Sequence, residues 1–226
     1  MLTFHKASEA TDAVDILKKR LIQALSTNQH VLWLVSGGSN VPLSLKVMNE
    51  LPIEITTNLT IVLVDERYGE YNHPDSNMFQ LESVGFDSKN ATVIPILTPE
   101  NLTLDATCEK YNQAVSKAFD RADITIGQLG LGDDGHIAGI LPVSSAITSK
   151  DLVACYQAEK YTRITLTPLA LKHIDVAYVF AYGKSKYKAL SELRDKTLSV
   201  EIQPAQILKQ LMECHVYNDQ IGGETI

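Results

Sequence analysis

VLWLVSGGSN, at residues 31–40, is the stretch that decides the fold of this chain. Five consecutive apolar residues predict a buried strand, of the kind found in parallel sheets. The two glycines and the polar residues that follow end this strand, and helical spacing resumes close to Pro42. Strand, glycine loop and helix in this order indicate the first unit of an α/β fold.

The same rhythm continues on both sides of this stretch. Further apolar, β-branched runs at residues 60–64, 124–131 and 176–182 predict strands. Helical spacing predicts helices at 10–25, with Ser8 or Thr11 as the N-cap, and at 41–50, 105–119, 185–194 and 204–212. This alternation, without a repeat or a linker, predicts one α/β domain over residues 1–226. The domain should be doubly wound, with a mainly parallel sheet and ligands bound at the carboxyl ends of the strands.

Composition limits the classes of partner. The 226 residues include 20 Lys and Arg and 27 Asp and Glu, for a formal charge of −7, and the basic residues form no run. This charge disfavours nucleic acid and anionic membranes as partners. The N-terminus has no signal-peptide layout, and no apolar stretch approaches the roughly 18 residues of a membrane span. We therefore expect a cytoplasmic protein, a monomer or a small homo-oligomer, that acts on a small molecule.

The cysteines predict no disulfide framework. Cys108, Cys155 and Cys214 are odd in number, lie far apart and form no C-x-x-C pair. This spacing is typical neither of a disulfide scaffold nor of a zinc ribbon, and it favours a reducing compartment.

The glycine loop behind the first strand is a candidate anion site. Gly37 and Gly38 allow a ligand to approach the backbone closely, the hydroxyls of Ser36 and Ser39 can donate hydrogen bonds, and free amides at the start of a helix favour a phosphate. Considered by itself, this loop is better explained as a tight turn whose glycines only satisfy the backbone dihedral angles.

Charged residues follow the second strand directly. Asp65, Glu66 and Arg67 come next, and Asp65 could transfer a proton or hold a sugar hydroxyl, while Arg67 offers a planar fork for a phosphate or carboxylate. The alternative is a solvated turn that contains an internal Asp–Arg pair. Their position at the end of a strand favours a functional role.

A histidine between glycines follows the third strand, in GDDGHIAG at residues 132–139. Imidazole gains and loses protons near neutral pH, so His136 could take a proton from water and return it to a leaving oxygen. Asp134, two residues earlier, could orient the ring. A lone histidine is often a structural residue instead, but here three polar loops are expected to share one crevice.

Several other catalytic classes lack their motifs. The other five histidines form no i, i+4 pair, and the chain has no H-E-x-x-H, G-x-S-x-G, Walker or G-x-G-x-x-G motif. We predict no metal and no cofactor.

Taken together, the motifs resemble those of the 6-phosphogluconolactonase family. The resemblance is carried by S-G-G-S, by D-E-R with H-P-D-S-N, and by G-L-G-D-D-G-H-I-A ahead of Pro142, and it spans about residues 31–219. Arg163 begins an R-I-T-L-T segment, Gly183 and Lys186 form a G-x-x-K pair, and Asp219 matches a late acidic position. The resemblance implies a Rossmann-like fold and hydrolysis of 6-phosphoglucono-1,5-lactone. It also implies that His136 activates water and that Arg163 and Lys186 help to bind the phosphate.

The chain departs from the family pattern at four places. Asn40-Val41 replaces Thr-Pro, Gly69-Glu70 replaces Val-Pro, Ile137 to Leu141 replaces T-A-S-L-F, and Tyr161-Thr162 replaces a proline pair. None of these changes removes a proposed catalytic group. They bear on substrate preference and catalytic efficiency.

Two rival functions stay open at this point. A glucosamine-6-phosphate deaminase or related isomerase would share Ile137, but its functional glutamate is Leu141 here. Ammonia release from glucosamine 6-phosphate would identify it. A catalytically weak sugar-phosphate-binding protein would bind the product tightly without accelerating lactone opening.

Overall fold

The computed structural model of the chain describes residues 1–223. Residues 224–226, which the predicted domain range includes, lie outside the described residues. The strands are β1 (Leu2–Lys6), β2 (Val31–Val35), β3 (Leu59–Leu63), β4 (Asp65–Arg67), β5 (Thr92–Ile94), β6 (Ile124–Gly130), β7 (Val153–Gln157), β8 (Thr162–Leu166), β9 (Val176–Ala181) and β10 (Glu213–Asn218). The α-helices are α1 (Ala10–Ser26), α2 (Val41–Glu50), α3 (Asn77–Ser83), α4 (Leu104–Arg121), α5 (Pro168–Leu171) and α6 (Tyr187–Asp195).

The main sheet has seven parallel strands in the order β1-β10-β9-β6-β2-β3-β5. All five residues of β2 are buried, as the uninterrupted apolar run predicts. The four predicted strands are confirmed, each within one residue of its expected bounds. The predicted doubly wound, mainly parallel sheet is therefore confirmed.

Helices cover both faces of this sheet. The connections from β1 to β5 move along the sheet in one direction, and those from β5 to β10 move back, so right-handed crossovers place α1 to α3 on one face and α4 to α6 on the other. Neighbouring β2 and β6 therefore send their chains to opposite faces. This is the topological switch point, where the two following loops diverge and leave a crevice.

A second sheet completes the same end of the molecule. It is antiparallel, with the order β4-β8-β7, and Arg67 of β4 lies opposite Arg163 of β8. The alternative interpretation, a solvated turn directly after the 60–64 strand, is wrong, because residues 65–67 form β4. Their backbone groups pair with residues about 98 positions later, which no local pattern reveals.

The helix boundaries agree with the predictions in most cases. The helix over residues 41–50 is confirmed at both ends, while the 204–212 helix is a 3-10 segment over Pro204–Gln210. The N-cap of α1 is Glu9, so the expected caps Ser8 and Thr11 are wrong. Instead, the Thr11 hydroxyl donates a hydrogen bond to the Glu9 carboxylate.

A disulfide joins Cys108 on α4 to Cys155 on β7, and the expectation of no disulfide is wrong. The two Cα atoms lie 6.1 Å apart although 47 positions separate them in the chain. Cysteine spacing alone does not carry this information, because α4 and β7 meet only in the folded chain. Cys214 is free and buried in β10.

Within residues 1–223, no helix is both long and apolar enough to cross a membrane.

Candidate active site

A polar cavity of about 230 Å³ opens at the carboxyl ends of β2 and β6, at the topological switch point. Nine of the ten predicted site residues line it, and the tenth, Asp134, supports one of them from behind. The lining consists of Ser36, Gly37, Gly38, Ser39, Asn40, Asp65, Arg67, Asn77, Gly130, Leu131, Gly132, His136, Ala138, Arg163 and Lys186. The structure thus brings the three predicted loops together.

The glycine loop forms one wall of the cavity. Gly38 has a φ of +60°, a conformation that side chains disfavour, and begins a 3-10 turn that leads into α2. A Cβ atom on Gly37 would lie 2.1 Å from Oδ1 of Asn77, so any side chain there would require Asn77 to move. The Ser36 hydroxyl is buried and has no hydrogen-bond partner among the described residues. These features let a ligand approach the backbone of the loop closely and leave one hydroxyl beside it without a partner among the described residues.

His136 is held in place by Asp134. Nδ1 of its ring lies 2.6 Å from Oδ1 of Asp134, and the same oxygen accepts a hydrogen bond from the His136 backbone N–H. Burial opposes ionisation of Asp134, but these bonds outweigh it and lower the pKa of Asp134 to about 2. An ionised carboxylate only accepts, so Nδ1 carries a proton. In the neutral imidazole, the lone pair then belongs to Nε2.

Gly132 makes room for this histidine. A Cβ atom at Gly132 would lie 2.0 Å from Nδ1 of His136. The Gly132 N–H donates to the His136 carbonyl, and the Gly135 N–H donates to the Gly132 carbonyl. The loop is therefore closed tightly around the ring, which fixes its direction.

Asp65 and Arg163 form a largely buried ion pair on the second sheet. Nη1 of Arg163 lies 3.2 Å from Oδ2 of Asp65, and their side chains are 14% and 9% exposed. Burial raises the pKa of Asp65, and the charges of Arg163 and then Arg67 oppose this rise without cancelling it. Removing one member of such a pair typically costs about 3–5 kcal/mol, because the other charge stays buried.

Glu66 follows Asp65 on β4 and does not line the cavity. Its hydrogen bonds hold the backbone next to the cavity in place. Its carboxylate accepts hydrogen bonds from the Ser76 hydroxyl and from the backbone N–H groups of Arg67, Asn77 and Met78. A carboxylate at a helix N-terminus satisfies amides that have no partner within the helix. Glu66 thus fixes the start of α3, and with it the position of Asn77.

Lys186 reaches the cavity from the other side. Its Nζ lies 2.6 Å from Oδ1 of Asp133, the residue next to the histidine's own aspartate. The hydrogen bond from Lys186 lowers the pKa of Asp133. Gly183 begins this turn with a φ of +102°, and its N–H donates to Asp219, so the G-x-x-K pair and the late acidic residue form one unit.

Two polar residues of the cavity lining were missed in the sequence, Asn77 and Asn40. The Asn77 Nδ2 donates to both the carbonyl and the carboxylate of Asp65, while its Oδ1 is buried without a partner among the described residues. Asn40 accepts hydrogen bonds from Gln128 and Ser44. The only signal for Asn77 was its place in the H-P-D-S-N block. For Asn40, a departure from the family pattern, there was none.

The change to Gly139 also has a structural reason. A Cβ atom there would lie 2.9 Å from the Cβ atoms of both Asp65 and Thr165. The Gly139 N–H donates to the Thr165 hydroxyl, and its carbonyl accepts from Tyr156. Gly139 is therefore the point where the histidine loop packs against the second sheet.

Comparison with known proteins places the chain in a family. The model of the family described as "Glucosamine-6-phosphate isomerases/6-phosphogluconolactonase" matches residues 5–216, which is nearly the whole chain.

The chain belongs to this family.

Curated relatives within the family carry one of its two names. A probable 6-phosphogluconolactonase of Dictyostelium discoideum is 28% identical over 215 residues, which cover 90% of each chain. A 6-phosphogluconolactonase of Synechocystis is 31% identical over 173 residues, or 72% of this chain and 71% of the relative.

Solved structures of family members share the fold. The 6-phosphogluconolactonase of Thermotoga maritima superposes with a TM-score of 0.80 at 22% identity and covers 96% of this chain and 99% of its own. A putative 6-phosphogluconolactonase of Neisseria gonorrhoeae gives a TM-score of 0.74 at 25% identity, covering 96% and 100%. The family resemblance drawn from the motifs is confirmed.

Proposed function

We propose that this protein hydrolyses 6-phosphoglucono-1,5-lactone to 6-phosphogluconate, with His136 as its general base and acid. Family membership and the names of the curated relatives support the reaction. One observation supports the role of His136 most directly: its ring contacts the ionised Asp134. The ring also lines a cavity that contains three cationic side chains.

The reaction begins with proton removal from water. Nε2 of His136 takes a proton as the water oxygen forms a bond to the lactone carbonyl carbon, which gives a tetrahedral oxyanion. The oxyanion then collapses, the bond between that carbon and the ring oxygen breaks, and Nε2 returns the proton to the ring oxygen. Asp134 stays ionised throughout and stabilises the imidazolium that forms between the two steps.

The remaining residues divide into two groups by position. The phosphate lies on the loop of Ser36 to Ser39, where Arg163 and Lys186 supply positive charge and Ser36 supplies a free hydroxyl. Arg67 faces the carbonyl oxygen and stabilises the oxyanion, a contribution typically worth about 10²- to 10³-fold in rate for one donor. Asp65 keeps Arg163 in place and contacts the sugar hydroxyls.

The decisive experiment follows lactone opening at neutral pH in wild type and His136→Ala. The lactone is made in situ, and 6-phosphogluconate is detected with a coupled dehydrogenase. We expect wild type to exceed the spontaneous rate greatly and His136→Ala to lose at least about 10²-fold in kcat. A wild-type rate equal to the blank would remove the proposal.

The matched control is His173→Ala. His173 is exposed and contacts Phe119, and it precedes the amino end of β9, so it lies at the opposite edge of the sheet from the cavity. Its loss should leave kcat unchanged. Equal losses in the two variants would indicate a general effect of histidine removal rather than a role for His136.

The family description also names isomerases, so ammonia release from glucosamine 6-phosphate is measured beside the lactone. We expect none, because Leu141 stands where such an enzyme carries its glutamate. A binding protein without turnover would instead bind 6-phosphogluconate without accelerating the opening.

We also propose that the protein acts in the cytoplasm, as a monomer or a small homo-oligomer without nucleic acid or membrane partners. The net charge of −7 supports the absence of nucleic acid as a partner. The Cys108–Cys155 disulfide would make the protein an exception in this compartment, because cytosolic proteins usually keep their thiols reduced.

A further inference from the structure

The two arginines of the cavity have different partners. Arg67 and Arg163 lie directly opposite each other on β4 and β8, a placement that is destabilising for like charges unless each has a partner. Arg163 is neutralised by the Asp65 carboxylate. In the part of the chain that the structure describes, no carboxylate lies within ion-pair distance of Arg67, whose Nη1 donates to the Asp75 backbone carbonyl at 2.8 Å.

Tyr161 supplies the second contact of Arg67. The Arg67 guanidinium carbon lies 5.5 Å from the centroid of the Tyr161 ring, within the range of a cation–π contact. The Tyr161 hydroxyl donates to the Asp75 carboxylate at 3.1 Å. Asp75 therefore contacts both residues, because its backbone carbonyl accepts from Arg67 and its carboxylate accepts from Tyr161.

An aromatic face holds a cation without cancelling its charge. A carboxylate partner would neutralise Arg67, as Asp65 does for Arg163, and an anionic group arriving in the cavity would have to compete with it. Tyr161 holds the guanidinium without pairing it directly with a carboxylate. The Nζ of Lys160 lies 4.8 Å from the centroid of the same ring, so the ring contacts a second cation.

We infer that Tyr161 is a positioning residue that acts on the reaction through Arg67. This inference rests on the proposed lactone hydrolysis and on the place of Arg67 at the carbonyl oxygen. It concerns a position where this chain departs from the proline of the family pattern, so it is a property of this chain. Tyr161 itself does not line the cavity.

A double-mutant cycle tests this inference. Wild type, Tyr161→Ala, Arg67→Ala and the double variant are compared in lactone opening. We expect Tyr161→Ala to lower kcat about tenfold, a part of what one oxyanion donor supplies, and to change KM less than twofold, because the carbonyl oxygen carries charge only after attack. In the Arg67→Ala background, Tyr161→Ala should have no further effect.

A conservative variant separates the ring from the hydroxyl. Tyr161→Phe keeps the aromatic face and loses the bond to Asp75, and it should retain kcat within about threefold. Additive losses in the cycle, a loss in KM alone, or equal losses in Tyr161→Phe and Tyr161→Ala would each overturn the inference.

Equilibrium binding of 6-phosphogluconate, measured by calorimetry, separates this inference from the proposed function. The product carboxylate occupies the place of the oxyanion, so Tyr161→Ala should weaken its binding several-fold, and again only when Arg67 is present. If wild type binds the product but does not open the lactone, the proposed function fails. The same double-mutant cycle, measured as product affinity, then still tests whether Tyr161 acts through Arg67. If wild type neither opens the lactone nor binds the product, both proposals fall.

Discussion

Asp133 and Asp134 are adjacent in the chain, yet each binds a different residue of the cavity lining. Asp134 accepts a hydrogen bond from the His136 ring at 2.6 Å, and Asp133 pairs with Lys186 at 2.6 Å. The same substitution at the two positions should therefore have opposite kinetic effects, which makes each variant the control for the other.

Asp134→Asn should lower kcat by about 10²-fold or more. An asparagine amide can donate to Nδ1 of His136, which places the proton of the ring on Nε2 and removes the general base from the cavity. Initial rates after subtraction of the spontaneous reaction give kcat, and circular dichroism confirms the fold. Unchanged kcat would show that the carboxylate is not needed to orient the ring.

Asp133→Asn should lower KM roughly two- to fivefold and leave kcat unchanged. The substrate phosphate must displace the Asp133 carboxylate from Lys186, and an exposed ion pair of this kind is worth about 0–1 kcal/mol. KM is measured at fixed ionic strength because salt screens the effect. A higher KM would instead mean that Asp133 holds Lys186 ready for the phosphate.

Acid should destabilise wild type more steeply than Asp134→Asn. The folded pKa of Asp134, about 2, lies below the ordinary value of 3.8, so its carboxylate stabilises the folded state above pH 4 and this contribution is lost as the pH falls toward 2. Urea unfolding between pH 4 and pH 2 measures the slope for both proteins. Parallel slopes would contradict the lowered pKa.

Gly132→Ala should abolish most of the activity without unfolding the protein. The added methyl group would overlap the His136 ring, at 2.0 Å from Nδ1, and must push the ring away from Asp134. Gly222→Ala is the control, because no atom of the described residues 1–223 lies within 4 Å of the added carbon there. Kinetics and thermal unfolding are compared for both variants, and equal activities would show that the loop adjusts freely.

Thiol titration of the unfolded protein should find one reactive cysteine before reduction and three after it. Only Cys214 is free when Cys108 and Cys155 are joined. Reduction should lower the free energy of unfolding by about 2–4 kcal/mol, and the Cys108→Ser/Cys155→Ser variant should match the reduced protein. Three thiols in freshly purified protein would show that the bond does not form in the cell.

The sequence predicted those parts of the structure that depend on neighbours along the chain. The buried run of β2, the glycine loop behind it and the histidine loop behind β6 are each local, and the topology of a parallel sheet brings their ends together. With the charged residues that follow β3, these patterns placed seven residues around one cavity, and the family resemblance supplied the other two, Arg163 and Lys186.

Contacts between distant segments could not be predicted in the same way. Arg67 and Arg163 became neighbours only through the pairing of β4 with β8, and Asn77 reached Asp65 only because Glu66 fixes the start of α3. The disulfide depends on the packing of α4 against β7. Each of these depends on tertiary structure, which single-sequence patterns do not encode.

The cavity has contributors from two sheets: His136 follows a strand of the parallel sheet, while the arginines stand on the antiparallel one. Enzymatic turnover therefore requires that these two sheets stay packed against each other. Partial detachment of the small sheet would abolish turnover. The far-ultraviolet circular dichroism signal of the large sheet would persist. On heating or in denaturant, turnover should therefore be lost before the secondary structure is lost.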